Sequence, residues 1–452
     1  MTASLASNRL ATSALANLVQ ENNMKNLLIS SSLALAISAS LATKAFAQTI
    51  AINGGKVVTN SDAGTMENTS ILIENGRVRS FSTDETLSGD TVIDASSAWV
   101  TPGIFAAVSN LGLVEVGAEQ NSNDSRPESD NATVRIRVAD SYNPKTSSIA
   151  VSRAGGITHA AVVPGAKNDI FGGIGMLMST NGSFESIVDE EAFIFVDYDS
   201  SSDSTGGTKA AAMSYLRSAL SDARNYSTRF NGPDDGDTLR RADARALRPA
   251  IQGRIPLVVE ADRAVDIVNI LKLRDENPTM NILILGASEA WMVADRLAEA
   301  QVGVFIDPTE NLPGSFDDTG SKLDSIKILH DAGVKTAVMS RTTTGSYSHN
   351  LRLLTQHAGN AVANGLSWEG AFTSITSTPA EMYGRPELGK ILTGQNANLV
   401  VWDGDPLEAM SAPIAVIIDG EVQSLKSRQT ELRDRYNPTR SDDVPYGYPT
   451  PE

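Results

Sequence analysis

The sequence predicts an α/β protein built on a (β/α)8 TIM barrel, with a small composite β-sandwich domain assembled from both chain ends. Three observations predict it. Eight apolar runs of strand length recur through the middle of the chain and alternate with helical patterns, as a parallel sheet covered by helices requires. The stretch from Thr101 to Leu388 that contains them has the length of such a barrel with insertions. Two β-rich segments flank it, each too small to bury a core alone, and pairing them solves that problem. The boundaries that follow are 1–47 for an upstream segment and signal peptide, 48–100 and 389–424 for the two parts of the β-domain, 101–388 for the barrel, and 425–452 for a tail. A doubly wound open sheet is the competing arrangement for the middle.

In order, Met24-Lys25-Asn26 opens a short basic region, and Leu27 to Leu41 is an apolar run. Ala45-Phe46-Ala47 then offers a small-x-small cleavage pattern, so the mature chain is expected to begin at Gln48 and to be periplasmic or secreted. Residues 1–23 read as an over-extended start. The apolar run is too short for a stable membrane span, and no later stretch is long enough for one. In the first β-segment, Asn75-Gly76 between apolar runs is a hairpin signal, and Asp419-Gly420 repeats it near the other end. The barrel strands are expected at Ile104–Asn110, Ile157–Val163, Ile174–Ser179, Phe193–Asp197, Pro256–Ala261, Ile282–Gly286, Gly303–Asp307 and Thr336–Arg341. The third and fourth have no helix between them and read as a hairpin. Leu351, Leu354, Ala358 and Ala361 share one helical face, which Asn364-Gly365 ends. Ser200–Gly207 and Asn231–Asp237 read as exposed loops, and Phe171-Gly172-Gly173 as a tight turn.

Hydrophobic content of 41% and charged content of 20% are those of a globular protein. A net charge of −17 with no basic stripe argues against nucleic-acid binding. The absence of cysteine removes thiolate chemistry and Cys-ligated zinc.

Thr101-Pro102-Gly103-Ile104-Phe105-Ala106-Ala107-Val108-Ser109-Asn110, where the chain enters the first barrel strand, resembles a metal-binding motif of the amidohydrolase superfamily, Pro-Gly-(Leu/Ile)-(Ile/Val)-Asp-x-His-x-His. An ordered set continues the resemblance toward the imidazolonepropionase-like branch: Ser141-Tyr142-Asn143-Pro144, Ala154-Gly155-Gly156-Ile157-Thr158, Glu289-Ala290-Trp291, Thr378-Pro379-Ala380-Glu381 and Trp402-Asp403-Gly404-Asp405-Pro406. It implies a barrel with a hydrolase site for non-peptide C–N bonds, in cyclic amides for example, at the strand C-terminal ends, with zinc or another divalent metal as the family norm. Position by position, that ligand set is substituted here. The motif's Asp falls on Ala106 and its two histidines on Val108 and Asn110; a Val-His-Ala-His segment falls on Val259-Glu260-Ala261-Asp262; the next histidine falls around Gly286 to Ser288; and the Ser-Asp after the last strand is Ser340-Arg341.

Valine has no lone pair to donate, and an arginine places a permanent cation where a metal would sit. No metal ligand set and no cofactor are therefore expected, and hydrolysis is expected to be lost or weak. The candidate catalytic positions are Arg341, Asp262 and Glu260, with Arg341 reaching one of the two acids across the barrel mouth. Asn110, Ser340 and His349 are candidate ligand-binding residues around it. His159, His330 and His357 read as surface or core packing, and Glu115, Glu119 and Asp124 as solvated loop acids. Ser109 and Ser340 lack an evident His–Asp pair. Three functions compete: a non-catalytic homologue binding a small molecule or partnering an active paralogue or a second copy, a hydrolase with ligands recruited from elsewhere, and a metal-free hydrolase using Asp262 or Glu260 with Arg341.

Overall fold

The computed structural model describes residues 49–83, 85–117, 119–126, 133–198, 205, 207–230, 236–341 and 348–436, the side chains of Ser348 and His349 excepted. The signal peptide, the Gln48 start, His349 as a residue of the mouth, most of the two Ser/Gly/Asp-rich loops and the tail beyond Tyr436 lie outside the described residues. None of the described helices is long and apolar enough to cross a membrane.

Strands β1 (Thr49–Val58), β2 (Thr65–Glu74), β3 (Arg77–Thr83), β4 (Thr91–Asp94) and β5 (Trp99–Pro102) come first. The barrel strands follow: β6 (Ile104–Ser109), β7 (Ile157–Val162), β8 (Phe171–Ser179), β9 (Ile187–Asp197), β10 (Leu257–Ala261), β11 (Ile282–Gly286), β12 (Gly303–Ile306) and β13 (Thr336–Val338). Strands β14 (Leu399–Trp402), β15 (Pro413–Ile418) and β16 (Glu421–Val422) complete the set. The first and last groups join in one mixed sheet ordered β16-β15-β14-β5-β1-β2-β3, with β4 also paired to β1.

Alternation gives this sheet two faces. Leu399, Val401 and Ile417 share a core with Ile50, Ile52 and Ile71, while Val400, Trp402, Val416 and Ile418 belong to the core that covers the outside of the barrel. The Trp402 indole donates to Thr101 Oγ1 over 2.9 Å, tying the start of the barrel to the end of the sheet. The two hairpins turn where the sequence places them. Asn75 and Gly76 have φ of 53° and 78°, and Asp419 and Gly420 of 50° and 78°, the doubly positive pattern of a type I′ turn. The turns also touch: a Cβ on Gly420 would stand 2.1 Å from Gly76 Cα.

The second sheet runs β13-β12-β11-β10-β9-β8-β7-β6 and curls into a nearly closed barrel. Its strands pair in parallel except for β8, which is antiparallel to both β7 and β9, so the third and fourth strands do form a hairpin. Between the first and last strands, the Val338 N–H donates to Ser374 O at 3.0 Å and the Phe105 N–H to Ile375 O at 2.9 Å. Two residues after the helix Trp368–Thr373 thus take up the edges that a ladder would otherwise join. The glycines at the start of β8 correct the turn expected there. Phe171-Gly172-Gly173 lies in a strand, and a Cβ on Gly172 or Gly175 would meet the rings of Phe195 and Phe193 at 2.7 and 2.1 Å. Glycine serves here because neighbouring rings lie directly on the backbone.

Inside the barrel, Phe105, Phe193, Phe305 and Tyr383 form an aromatic plug with ring centroids 5.0–6.1 Å from Tyr383. The Tyr383 hydroxyl donates to Ala107 O at 2.9 Å, and burial raises its pKa.

Candidate functional site

The inward face of the barrel is apolar along its length and becomes charged at the C-terminal strand ends. Steps of two residues make the change: Phe195 to Asp197 on β9, Val258 to Glu260 on β10 and then Asp262 just past its end, Phe305 on β12 to Asp307 just past its end, and Met339 to Arg341 after β13. Residues distant in sequence therefore converge on one mouth.

At its centre, Arg341 Nη2 donates to both oxygens of Asp262. The Arg341 Nε lies 2.8 Å from Glu310 Oε1. Asp262 is buried and also accepts from the Ser288 N–H at 3.1 Å and the Ser288 hydroxyl at 2.7 Å. Burial opposes the Arg341 charge, but Asp262 and Glu310 outweigh it and raise the pKa above that of an ordinary guanidinium. Room for the pair is made by Gly286, whose φ is +93° and whose Cβ, if present, would stand 2.7 Å from Arg341 Nη2 and 2.8 Å from Asp262 Oδ1. This is where the resemblance expects a ligand histidine.

Two further acids complete the network. Asp307 accepts the Arg341 backbone N–H at 2.9 Å through one oxygen; through the other it meets the Thr309 N–H at 3.0 Å, the Thr309 hydroxyl at 2.6 Å and His357 Nδ1 at 3.1 Å. Burial works against ionisation, yet His357 and these donors hold the Asp307 carboxyl below the usual range. Glu310 is different. Burial, with Asp307 and Asp262 nearby, pushes it up to about 7 although Arg341 and Ser288 pull the other way. Geometry agrees with a proton there. The Ser288 hydroxyl has one hydrogen, and two carboxylates lie within its reach, Asp262 at 2.7 Å and Glu310 Oε2 at 3.1 Å. When that hydrogen goes to Asp262, a protonated Glu310 satisfies the second contact.

Among the sequence candidates, Arg341 and Asp262 meet, while Glu260 sits one step deeper on β10 and lines an adjacent cavity. Asn110 and Ser340 are buried at strand ends. Val108 belongs to the interior apolar cluster, placed there by an irregularity in β6 between Ala106 and Ser109. The Ser109 hydroxyl donates to Ala161 O at 2.7 Å.

His357 corrects the packing reading, because the helix Leu354–Ala363 aims it at Asp307. His159 is buried, stacked on Phe105, and pushed down to about 4 by burial, so it is neutral at pH 7. His330 is exposed. Glu115 differs from a solvated acid in accepting the Ser147 N–H at 2.9 Å, whereas Glu119 is exposed and accepts only the nearby Asn121 N–H at 3.1 Å. Sequence reasoning missed Glu310, Asp307 and Ser288. The only signal for Asp307 was its place at a strand end. Among the described residues, no three His, Asp or Glu side chains are grouped to share a metal ion.

The amidohydrolase family profile matches residues 281–425. An amidohydrolase of Hapsidospora irregularis, tasK, is 24% identical over 394 residues, covering 78% of this chain and 39% of its own length. The chain thus spans about two-fifths of that relative. An amidohydrolase structure from Thermotoga maritima MSB8 superposes with a TM-score of 0.73 at 23% identity, over 82% of this chain and 99% of that one. Molinate hydrolase gives 0.51 at 16% identity, over 84% of this chain and 95% of its own. Residues 281–425 thus carry the amidohydrolase family profile, and the fold of the chain, a barrel with an added β-sheet, is similar to that of amidohydrolase structures.

Proposed function

We propose that this chain descends from hydrolases of non-peptide C–N bonds and now binds a small molecule at the barrel mouth, with metal-dependent hydrolysis lost or weak. One observation carries the reading: the Arg341 guanidinium lies against Asp262 and Glu310 at the strand ends. A dication needs oxygen or nitrogen donors with free lone pairs, and a fixed cation repels it. The residues present do not fit a divalent metal. Export, with a mature start at Gln48, belongs to the same reading, and N-terminal sequencing of secreted protein checks it.

A thermal-shift titration with zinc tests the metal-free site. A ligand that binds only the folded state stabilises it by about 2.7 kcal/mol at a hundredfold excess over its dissociation constant. For a domain of this size that is a shift of about 3 °C. The expected result is no shift; a chelator-reversible rise overturns the reading.

A second reading is favoured by Glu310. A carboxyl pushed up to about 7 beside a permanent cation is suited to general acid–base work, with the guanidinium available to a developing oxyanion. In that metal-free hydrolase, Glu310 takes the role that the sequence offered to Asp262 or Glu260. Turnover that survives chelation and falls in both Glu310→Gln and Arg341→Met is its expected signature.

A further inference from the structure

The end of the barrel away from the mouth holds a cavity of its own, about 450 Å³, between the N-terminal strand ends and the composite sheet. His159 faces it from the start of β7. The ring stacks on Phe105, so the aromatic plug stands between this cavity and the mouth. Arg385, Glu387 and Leu388, which follow the helix Ser377–Met382, form one wall. The two touching turns form another, with Arg77 beside one and Asp419 in the other.

Two of the side chains that line it are polar and more than nine-tenths buried, His159 at 4% exposure and Asn398 at 7%. Each spends one end on the protein. Asn398 Oδ1 accepts the Asp419 N–H at 2.9 Å, which fixes the carboxamide and leaves Nδ2 without a partner among the described residues. His159 Nδ1 lies 3.1 Å from Thr158 Oγ1. That hydroxyl donates its one hydrogen to Ile104 O at 3.3 Å, so Nδ1 carries the imidazole proton and Nε2 a lone pair. Nε2 likewise has no partner among the described residues, and burial keeps the ring uncharged. Gln395 adds a buried Oε1 with no hydrogen-bond partner. Buried polar groups are normally paired, and here one neutral donor and two neutral acceptors line the same space unpaired.

The charges of the rim cancel. Arg385 Nε lies 2.9 Å from Glu387 Oε1, Arg77 Nη1 donates to Gly394 O at 2.8 Å, and Asp419 Oδ1 accepts from Asn396 Nδ2 at 2.9 Å. Two arginines and two acids leave no net charge to draw an ion. Val188 and Leu388 add an apolar face.

We infer that this cavity binds a neutral polyhydroxylated molecule of monosaccharide size. A hydroxyl both donates and accepts, so neighbouring hydroxyls on one ring take an N–H from Asn398 and give hydrogens to His159 and Gln395. The C–H face of such a ring lies against Val188 and Leu388. The volume falls in the range of about 300–1,000 Å³ common to small-molecule pockets. No residue of the Arg341 network lines the cavity, so this site stands apart from whatever the mouth binds.

Isothermal titration of the full chain with D-glucose, D-galactose and D-mannose tests it. At least one is expected to bind saturably, at one site per chain. His159→Phe keeps a ring against Phe105 and removes the acceptor; it is expected to weaken that sugar at least tenfold at an unchanged melting temperature. Asn398→Asp keeps an acceptor for the Asp419 N–H and removes the donor, and should weaken it at least fivefold. The amino sugar and the uronic acid that match the best binder are expected to bind at least tenfold more weakly than it does. No saturable binding by any of the three sugars, normal binding in His159→Phe, or a charged analogue as tight as the neutral sugar overturns the assignment.

Discussion

Arg341→Met deletes the cation at the barrel mouth and keeps most of the stem. Removing one partner of a buried ion pair costs about 3–5 kcal/mol, because the other charge is left in a poorly solvated place. Asp262 keeps the N–H and hydroxyl of Ser288, and the Asp307 contact to the Arg341 backbone survives, so the lower end applies. The expected loss is therefore about 3 kcal/mol. Unfolding entropy near 2.1 cal/mol/K per residue gives about 0.8 kcal/mol/K for a chain of about 400 ordered residues, so the melting temperature should fall by about 4 °C. Asp262→Asn in the Arg341→Met background removes the stranded charge and leaves an amide for Ser288. It should recover about half the loss, a coupling of at least about 1 kcal/mol in the double-mutant cycle. Thermal and urea unfolding followed by circular dichroism measure both. A silent Arg341→Met, or single-mutant effects that simply add, would refute the buried pair.

Gly286→Ala must strain a backbone at φ +93° and push into the Arg341–Asp262 contact, whereas Gly333 (φ +83°) has nothing within 4 Å of a new Cβ. Gly286→Ala should cost about 3 kcal/mol and Gly333→Ala about 1–2 kcal/mol, and equal losses in denaturant melts would count against the crowding argument. Glu310 supplies a pH dependence whose sign follows from its raised pKa. The folded state holds this proton more tightly than the ordinary value of 4.5 allows, so its stabilising effect is complete below about 4.5 and is lost as pH rises through about 7. Glu310→Gln, which imitates the protonated acid, should remove about 2–3 kcal/mol of that slope between pH 5 and pH 8; an unchanged slope in the variant would place the titration elsewhere.

Local chemistry made much of the fold legible. Asn75-Gly76 and Asp419-Gly420 specify turns by themselves, and the barrel strands are apolar runs that alternate with helices. The Arg341–Asp262 contact was also readable, because parallel strand ends must converge and opposite charges at substituted positions must neutralise each other. Glu310 and His357 were not. Glu310 lies in a loop and His357 on a helix, and which acid each meets depends on how those segments return over the mouth, a distance that no local pattern encodes. The glycines of β8 misled for a related reason: the rings of Phe193 and Phe195 that demand them come from a later strand. Glu260 was the harder choice of two, since Glu260 and Asp262 share one inward face and only strand length decides which reaches Arg341.

The sheet made from both chain ends has a consequence in time. Strand β5 needs β14 beside it, and Trp402 reaches Thr101 across 301 residues of sequence. At about 5–20 residues per second, the ribosome needs roughly 15–60 s to deliver that partner after β5 emerges. Throughout that interval β1 to β5 carry an open edge, with Val100 and Thr101 unpaired on the β14 side. Final closure waits on the last part of the chain, where the Asp419-Gly420 turn comes to rest against Asn75-Gly76. A barrel truncated before β14 would keep its mouth residues and still lack the strand that seals its beginning, so premature termination should yield an aggregating product rather than a smaller working one.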